Sequence, residues 1–231
     1  MIRTVARRAA LAAALVATSL VALPALSQEP REVLAELAKK SSEFTSSETV
    51  TTTTVKNAYM ESKTVSTSWT HRAADGTIKM RSEMTSTMTM PGMDPQESKT
   101  LMVSDGKVMF SEMDMMGNKM VTKTKVPEST VADGMKYYLD MLDQGSAKLL
   151  ADEAINGKAC TVIEITSPDA STTTLWLDKE TGTVMKTVMK GEAIGESVTT
   201  VDSIKTGVEI DEAMFAYTPP EGAVVQDMTG M

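Results

Sequence analysis

Residues 77–90 alternate between two kinds of side chain, and no other feature of the sequence constrains the fold as strongly. The even positions carry Ile78, Met80, Ser82, Met84, Ser86, Met88 and Met90, whereas the odd positions carry threonines and charged residues. A period of two is the pattern of a β-strand with one apolar and one solvated face, because successive side chains point to opposite sides. The segment therefore predicts a long strand in an antiparallel sheet.

Most of the remaining chain is also strand-like, with β-branched residues, alternation or flanking turns. These segments are 49–55, 64–70, 99–104, 107–112, 119–125, 147–151, 158–166, 172–178, 183–190 and 197–204, and segments 214–217 and 223–225 close the chain. Apolar residues at helical spacing predict short helices over 30–40 and 129–144. We expect Phe215 and Tyr217 to share one side of a final strand. No linker divides the sequence, so we predict one mainly β domain over residues 28–231.

The amino terminus has the pattern of a secretory signal peptide. Arg3, Arg7 and Arg8 precede a run without charge that extends from residue 9 to Ser27, and small residues stand before Gln28. We predict that residues 1–27 are a signal peptide cleaved near Ser27/Gln28 and that the protein is exported to the periplasm. A single uncleaved anchor helix is the alternative.

The charged and reactive residues exclude several classes of function. The net charge of −8 argues against binding to a nucleic acid. His71 is the only histidine and Cys160 the only cysteine, so Cys/His zinc spacings and an intramolecular disulfide are excluded. The acid pair Asp178 and Glu180 has the position of a solvated hairpin end, and no two carboxylates bracket a bond as catalytic ones would. We therefore expect a protein that is not an enzyme and has no cofactor and no resident metal.

Four segments carry a resemblance to a known family. They are Trp69–Arg72, Leu101–Lys107, Leu175–Gly182 and Met214–Val225. In order and spacing they resemble the LolA/LolB lipoprotein-carrier superfamily. The resemblance implies a single-domain incomplete antiparallel β-barrel of about eleven strands, with short helices covering its mouth and a hydrophobic cavity between. It also implies a monomer whose partners are the acyl chains of a lipid or lipoprotein and membrane-bound donor and acceptor proteins.

Methionine is unusually frequent, at 20 of 231 residues, while aromatic residues make up only 4%. Its unbranched, polarizable side chain can fill a core or line a cavity that must accept chains of variable shape. The resemblance favours the cavity. Candidate cavity residues are Ile78, Met80, Met84, Met88, Met90, Met102, Met109 and Trp176.

Arg72 is the candidate polar residue of the site. In a LolA-like protein it would lie at the cavity rim and donate to backbone carbonyls of the covering helices. An ordinary solvated strand arginine is the alternative. His71 should point to the opposite face.

The sequence therefore favours a periplasmic carrier that holds acyl chains in a Met-lined cavity. An RseB-like envelope sensor or regulator is a second interpretation, ranked lower because such proteins usually carry a second domain. A Met-rich copper-binding periplasmic protein is the third, because the thioethers of a predicted loop, Met113–Met120, have spacings that Cu(I) accepts.

Overall fold

The structure is a computed structural model that describes residues 29–115, 117–126 and 134–230. The predicted signal peptide lies outside these residues. The helices are α1 (Pro30–Ser42) and α2 (Gly134–Gln144). The strands are β1 (Ser46–Lys56), β2 (Glu61–Arg72), β3 (Ile78–Thr89), β4 (Gln96–Ser104), β5 (Val108–Met115), β6 (Asn118–Lys125), β7 (Ser146–Ile155), β8 (Lys158–Thr166), β9 (Thr172–Asp178), β10 (Val184–Gly191), β11 (Gly195–Thr206) and β12 (Val224–Asp227).

All twelve described strands form one open sheet in the order β12-β6-β5-β4-β3-β2-β1-β11-β10-β9-β8-β7. Neighbouring strands are antiparallel except for β12, which runs parallel to β6. The edges β12 and β7 do not pair with each other, so the sheet is an incomplete barrel, as predicted. The strand count is twelve rather than about eleven, because the predicted closing segment at 223–225 does pair with the sheet.

Helix α1 begins as its sequence predicts, with Pro30 in its first turn and Lys39 and Lys40 in its last. Proline has no amide hydrogen to leave unbonded at that position, and late lysines suit the helix dipole. The predicted helix at 129–144 is described from Gly134 onward, and residues 127–133 lie outside the description. Both helices pack against one side of the sheet, which we call the inner face.

The main hydrophobic core lies between the helices and the inner face of β8 and β9. It contains Val33, Leu34, Leu37, Met135, Ile163, Ile165, Leu175 and Leu177. A second cluster contains Cys160, Val162, Trp176, Met185 and Val201. On β8 and β9 the members of the two clusters alternate along the chain, so each strand is apolar on both faces.

The predicted strand at 214–217 is wrong. Glu212–Phe215 is instead a single 3₁₀ turn, whose start is capped by the Asp211 carboxylate accepting from the Ala213 amide at 2.9 Å. Phe215 is 4% exposed, and the Tyr217 hydroxyl donates to Glu112 at 2.6 Å. The 3₁₀ turn takes up the first half of the predicted strand, and Pro219 and Pro220, which have no amide hydrogen to donate, limit its extension beyond Tyr217.

Candidate functional site: a cavity beneath the helices

A cavity of about 430 Å³ lies where α1 and α2 meet the inner face of β1, β2 and β11. This volume falls within the range of about 300–1,000 Å³ found for small-molecule sites. Its apolar lining includes Ala38, Phe44, Ile78, Met135, Val184 and Ile204. These residues offer apolar contacts to a hydrocarbon group.

The floor of the cavity carries a row of hydroxyl groups that the sequence analysis did not single out. Ser47 on β1 is paired with Thr70 on β2 and with Thr206 on β11, and all three line the cavity, together with Thr49. The sequence did indicate such a row, because successive side chains of a strand point to opposite faces and a threonine-rich strand therefore places half of its hydroxyls on each face. The sequence could not show which of the two faces the helices cover.

Arg72 lies at the end of β2, where it is paired with Ile78, and both residues line the cavity. Its amide donates to the Thr45 carbonyl at 2.7 Å, which fixes the backbone. Its side-chain Nε is buried without a hydrogen-bond partner, and no described residue forms an ion pair with its guanidinium. Among the described residues, the Arg72 guanidinium does not donate to a helix carbonyl, which is the contact that the resemblance implies.

His71 points away from the cavity, as predicted from its position next to Arg72. It lies 3.5 Å from Glu212 and its ring centroid is 6.3 Å from that of Phe215. It belongs to the packing of the closing segment on the outer face.

The turn between β9 and β10 forms one wall of the cavity through Gly182 and Thr183. Asp178 organises this turn, because its carboxylate accepts from the Lys158 ammonium at 2.9 Å, the Thr181 hydroxyl at 2.8 Å and the Glu180 amide at 3.1 Å. The prediction of a solvated acid is wrong here, since Asp178 is only 3% exposed. Burial pushes the pKa of Asp178 up, but these hydrogen bonds outweigh it and hold the pKa below its ordinary value.

Gly182 has a positive φ of +71° and lies against the backbone of α1. The Lys40 ammonium also reaches this turn, where it donates to the Lys179 carbonyl at 3.1 Å. These contacts seat the carboxyl-terminal half of α1, which forms part of the cavity lining.

The predicted methionine stripe lies on the inner face beside the cavity. The alternation on β3 continues across the sheet, since Met80 is paired with Ser104 and Ser82 with Met102. The predicted residues on this face of β3, β4 and β5 are half-buried rather than core, and they are Met80, Met84, Met88, Met102 and Met109. Met90 follows the end of β3, in the turn. Of the predicted residues, Ile78 and Arg72 are the ones that line the described cavity.

Hydroxyl groups lie between these methionines and bond to one another. Ser82 is 3.0 Å from Ser66 and 2.9 Å from Ser68, and Thr64 is 2.8 Å from Ser86. Because each hydroxyl has a partner across the strands, this part of the inner face does not depend on water to satisfy its polar groups.

Trp176 lies in the second cluster and is not among the residues that line the cavity. Its indole donates to Glu153 at 2.9 Å, and the Lys186 ammonium lies 4.6 Å from the ring centroid. The structure therefore separates Trp176 from the other predicted residues.

Met113 and Met120 are directly paired across β5 and β6. The predicted loop at 113–120 is wrong, because both residues lie on strands of one hairpin, and Met120 is 58% exposed. Among the described residues, no group of three or more His, Cys, Asp or Glu side chains could hold a metal ion.

Comparison with known proteins supports the fold. No family model matches the sequence. An uncharacterized protein from Methanocaldococcus jannaschii is 24% identical over 140 residues, and the match covers 59% of this chain and 40% of that relative. An uncharacterized conserved protein from Thermus thermophilus superposes with a TM-score of 0.51 at 13% identity, covering 85% of this chain and 98% of the other.

A third comparison is with the structure of the Pseudomonas aeruginosa MucA/MucB complex. It gives a TM-score of 0.50 at 14% identity and covers 81% of this chain and 60% of that one. The open, mainly antiparallel sheet with two helices on its inner face confirms the predicted fold class, a mainly β incomplete barrel. In the described part of the chain, no helix is both long and apolar enough to span a bilayer.

Proposed function

We propose that this protein is an exported binding protein that holds the acyl chain of a lipid or lipoprotein between its helices and the inner face of its sheet. The observation that carries the proposal is the cavity of about 430 Å³, to which both helices and three strands contribute apolar residues. The incomplete-barrel fold and the four sequence segments that resemble the LolA/LolB superfamily support it.

Burial of hydrocarbon is sufficient for such binding. Each methylene removed from water contributes about 0.8 kcal/mol, so ten methylenes give roughly 8 kcal/mol before the cost of immobilisation is subtracted. Ile78, Ile204 and Val184 are among the residues that offer such contacts. Binding of this kind needs no covalent chemistry, and we propose a carrier rather than an enzyme.

The methionines extend the proposed binding surface beyond the cavity. Met80, Met84 and Met102 lie on the inner face and are only half-buried, so their side chains are available to contact a ligand. A thioether chain can repack around acyl chains of different shape with little loss of contact. A chain too long for the cavity would continue along these strands.

The predicted signal peptide supports export to the periplasm. There we propose that the protein acts as a monomer that receives its cargo from one membrane protein and delivers it to another, as the resemblance implies.

Blocking the cavity tests the proposal. Thr49 lines the cavity, whereas Thr54 on the same strand faces the other side of the sheet. We expect Thr49→Trp to weaken the binding of a fluorescent fatty acid at least tenfold, because the indole occupies the cavity. Thr54→Trp is the matched control and should leave binding unchanged. Equal binding by the two folded variants would contradict the proposal, as would native mass spectrometry that finds no acyl ligand in wild-type protein mixed with fatty acid.

A further inference from the structure

Arg72 places a permanent positive charge in a cavity that is otherwise apolar or hydroxylic. Of the described residues that line the cavity, it is the only charged one. Its Nε is buried without a hydrogen-bond partner. The residue as a whole is half-buried, but an N–H of a charged group that has lost water without gaining a hydrogen bond is unfavourable. A ligand that brings an anion would remove this deficiency.

The groups around Arg72 suit the same ligand. Thr70 lies two residues earlier on the same face of β2, Ser47 is opposite Thr70, and Thr206 is opposite Ser47. Their hydroxyls can donate hydrogen bonds to oxygen atoms, as the guanidinium can. Apolar lining residues lie beside these polar groups on the same inner face, since Ile78 is opposite Arg72 and Ile204 is opposite Thr49. The cavity lining thus combines one cation and several hydroxyls with apolar side chains.

We propose that the cavity recognises an acyl chain that ends in an anion, a carboxylate or a phosphate, with the anion bound by Arg72. A guanidinium presents planar paired donors, which match the two oxygens of either group. This inference rests on the proposed acyl binding and specifies its ligand class. In this proposal the Arg72 guanidinium binds the ligand. In the alternative predicted from the resemblance, it would bond to a helix carbonyl and stabilise a closed, empty cavity.

The attraction between Arg72 and the anion of the ligand must act at short range. The protein carries a net charge of −8, so its overall field repels an anion at long range. A buried ion pair is screened much less by salt than an exposed one. The selectivity for an anion should therefore persist at physiological ionic strength.

The test compares three ligands of one chain length: palmitate, hexadecyl phosphate and the neutral hexadecanol. We expect the wild-type protein to bind at least one of the two anions tenfold or more tighter than the alcohol, and a factor of ten corresponds to about 1.4 kcal/mol. The tighter of the two anions identifies the head group. Arg72→Gln should abolish this preference, because the affinity for the anions falls toward the affinity for the alcohol. Lys63→Gln removes the same charge from an exposed position on β2 and is the control, for which the preference should persist.

Two results would overturn the inference while acyl binding itself stands. Equal wild-type affinities for anions and alcohol would show that no anion site exists, and this measurement needs no variant. Tighter binding of all three ligands by Arg72→Gln would show that Arg72 holds the cavity closed instead. If the wild-type protein binds none of the three ligands, the proposed function fails and this inference fails with it.

Discussion

Replacing Gly182 with alanine should push α1 away from the turn between β9 and β10, because this glycine lies directly against the helix backbone. A Cβ atom at this position would overlap the Leu37 carbonyl oxygen and lie 2.8 Å from the Leu37 carbonyl carbon and 3.1 Å from the Ser41 nitrogen. None of these atoms can rotate away, since all belong to the backbone. The φ of +71° adds strain, which amounts to about 1–2 kcal/mol for an L-residue.

The structure bounds the size of the effect. Backbone strain alone sets a minimum of about 1–2 kcal/mol. Complete loss of α1 would expose Val33, Leu34 and Leu37, each worth about 1.5–3 kcal/mol of burial, or roughly 5–9 kcal/mol together. The helix needs to retreat only until the overlap is relieved. We therefore expect Gly182→Ala to lower the free energy of unfolding by about 3–5 kcal/mol, between these bounds.

Urea denaturation followed by circular dichroism measures this loss, and Gly92→Ala is the matched control. Gly92 has a similar φ of +78° but no atom within 4 Å of the Cβ position, so it reports backbone strain alone. We expect Gly92→Ala to lose only about 1–2 kcal/mol. If Gly182→Ala loses no more than Gly92→Ala, the helix does not rest on this turn, and the description of the cavity wall is wrong.

Three further predictions concern other parts of the fold. Phe215→Ala should lower the free energy of unfolding in urea by about 3–5 kcal/mol, because this side chain is 4% exposed, and a loss below about 1 kcal/mol would contradict its packing. Met84→Asp should abolish fluorescent fatty acid binding if the methionine surface contacts the ligand, whereas Glu83→Gln on the exposed face should not, and equal effects would exclude that surface. Asp178→Asn should destabilise the protein at pH 7, and the gap from wild type should close as the pH falls below about 4, because a lowered carboxyl pKa contributes stability only above that range. A gap that does not narrow at all below about pH 4 would mean that the charge of Asp178 contributes nothing.

The sequence was most informative where one face of a strand differs from the other. On β3 the even positions are buried or half-buried, and from Glu83 onward the odd positions are exposed, as the alternation predicted. Such a pattern fixes the register, because a shift of one residue would move every side chain to the wrong face. On β9 the consecutive Leu175, Trp176 and Leu177 gave no such signal. Both faces of that strand are covered, so periodicity could not show that Trp176 lies away from the cavity.

The sequence also could not reveal partners that are distant along the chain. Asp178 had the position of a solvated turn residue, and its burial depends on Lys158 of another strand. The closing segment was predicted as a strand because Phe215 and Tyr217 alternate around Ala216. Its actual conformation depends on an aspartate cap and on contacts with Glu112 and Phe110. In both cases the deciding interaction joins residues that no local pattern connects.

The arrangement of α1 also indicates how a ligand can reach the cavity. The side chains that anchor the helix, Val33, Leu34 and Leu37, are all in its first eight residues. The residues that line the cavity, Ala38, Ser41 and Ser42, follow them and are half-buried or exposed. Lifting the whole helix would expose the anchor at a cost of roughly 5–9 kcal/mol, about as much as ten buried methylenes provide. Movement of the carboxyl-terminal turn alone leaves the anchor buried. Access past the carboxyl-terminal end of α1 is therefore the less costly route for a ligand. This route passes beside Gly182, so the contact between Gly182 and the backbone of α1 also forms one edge of the opening.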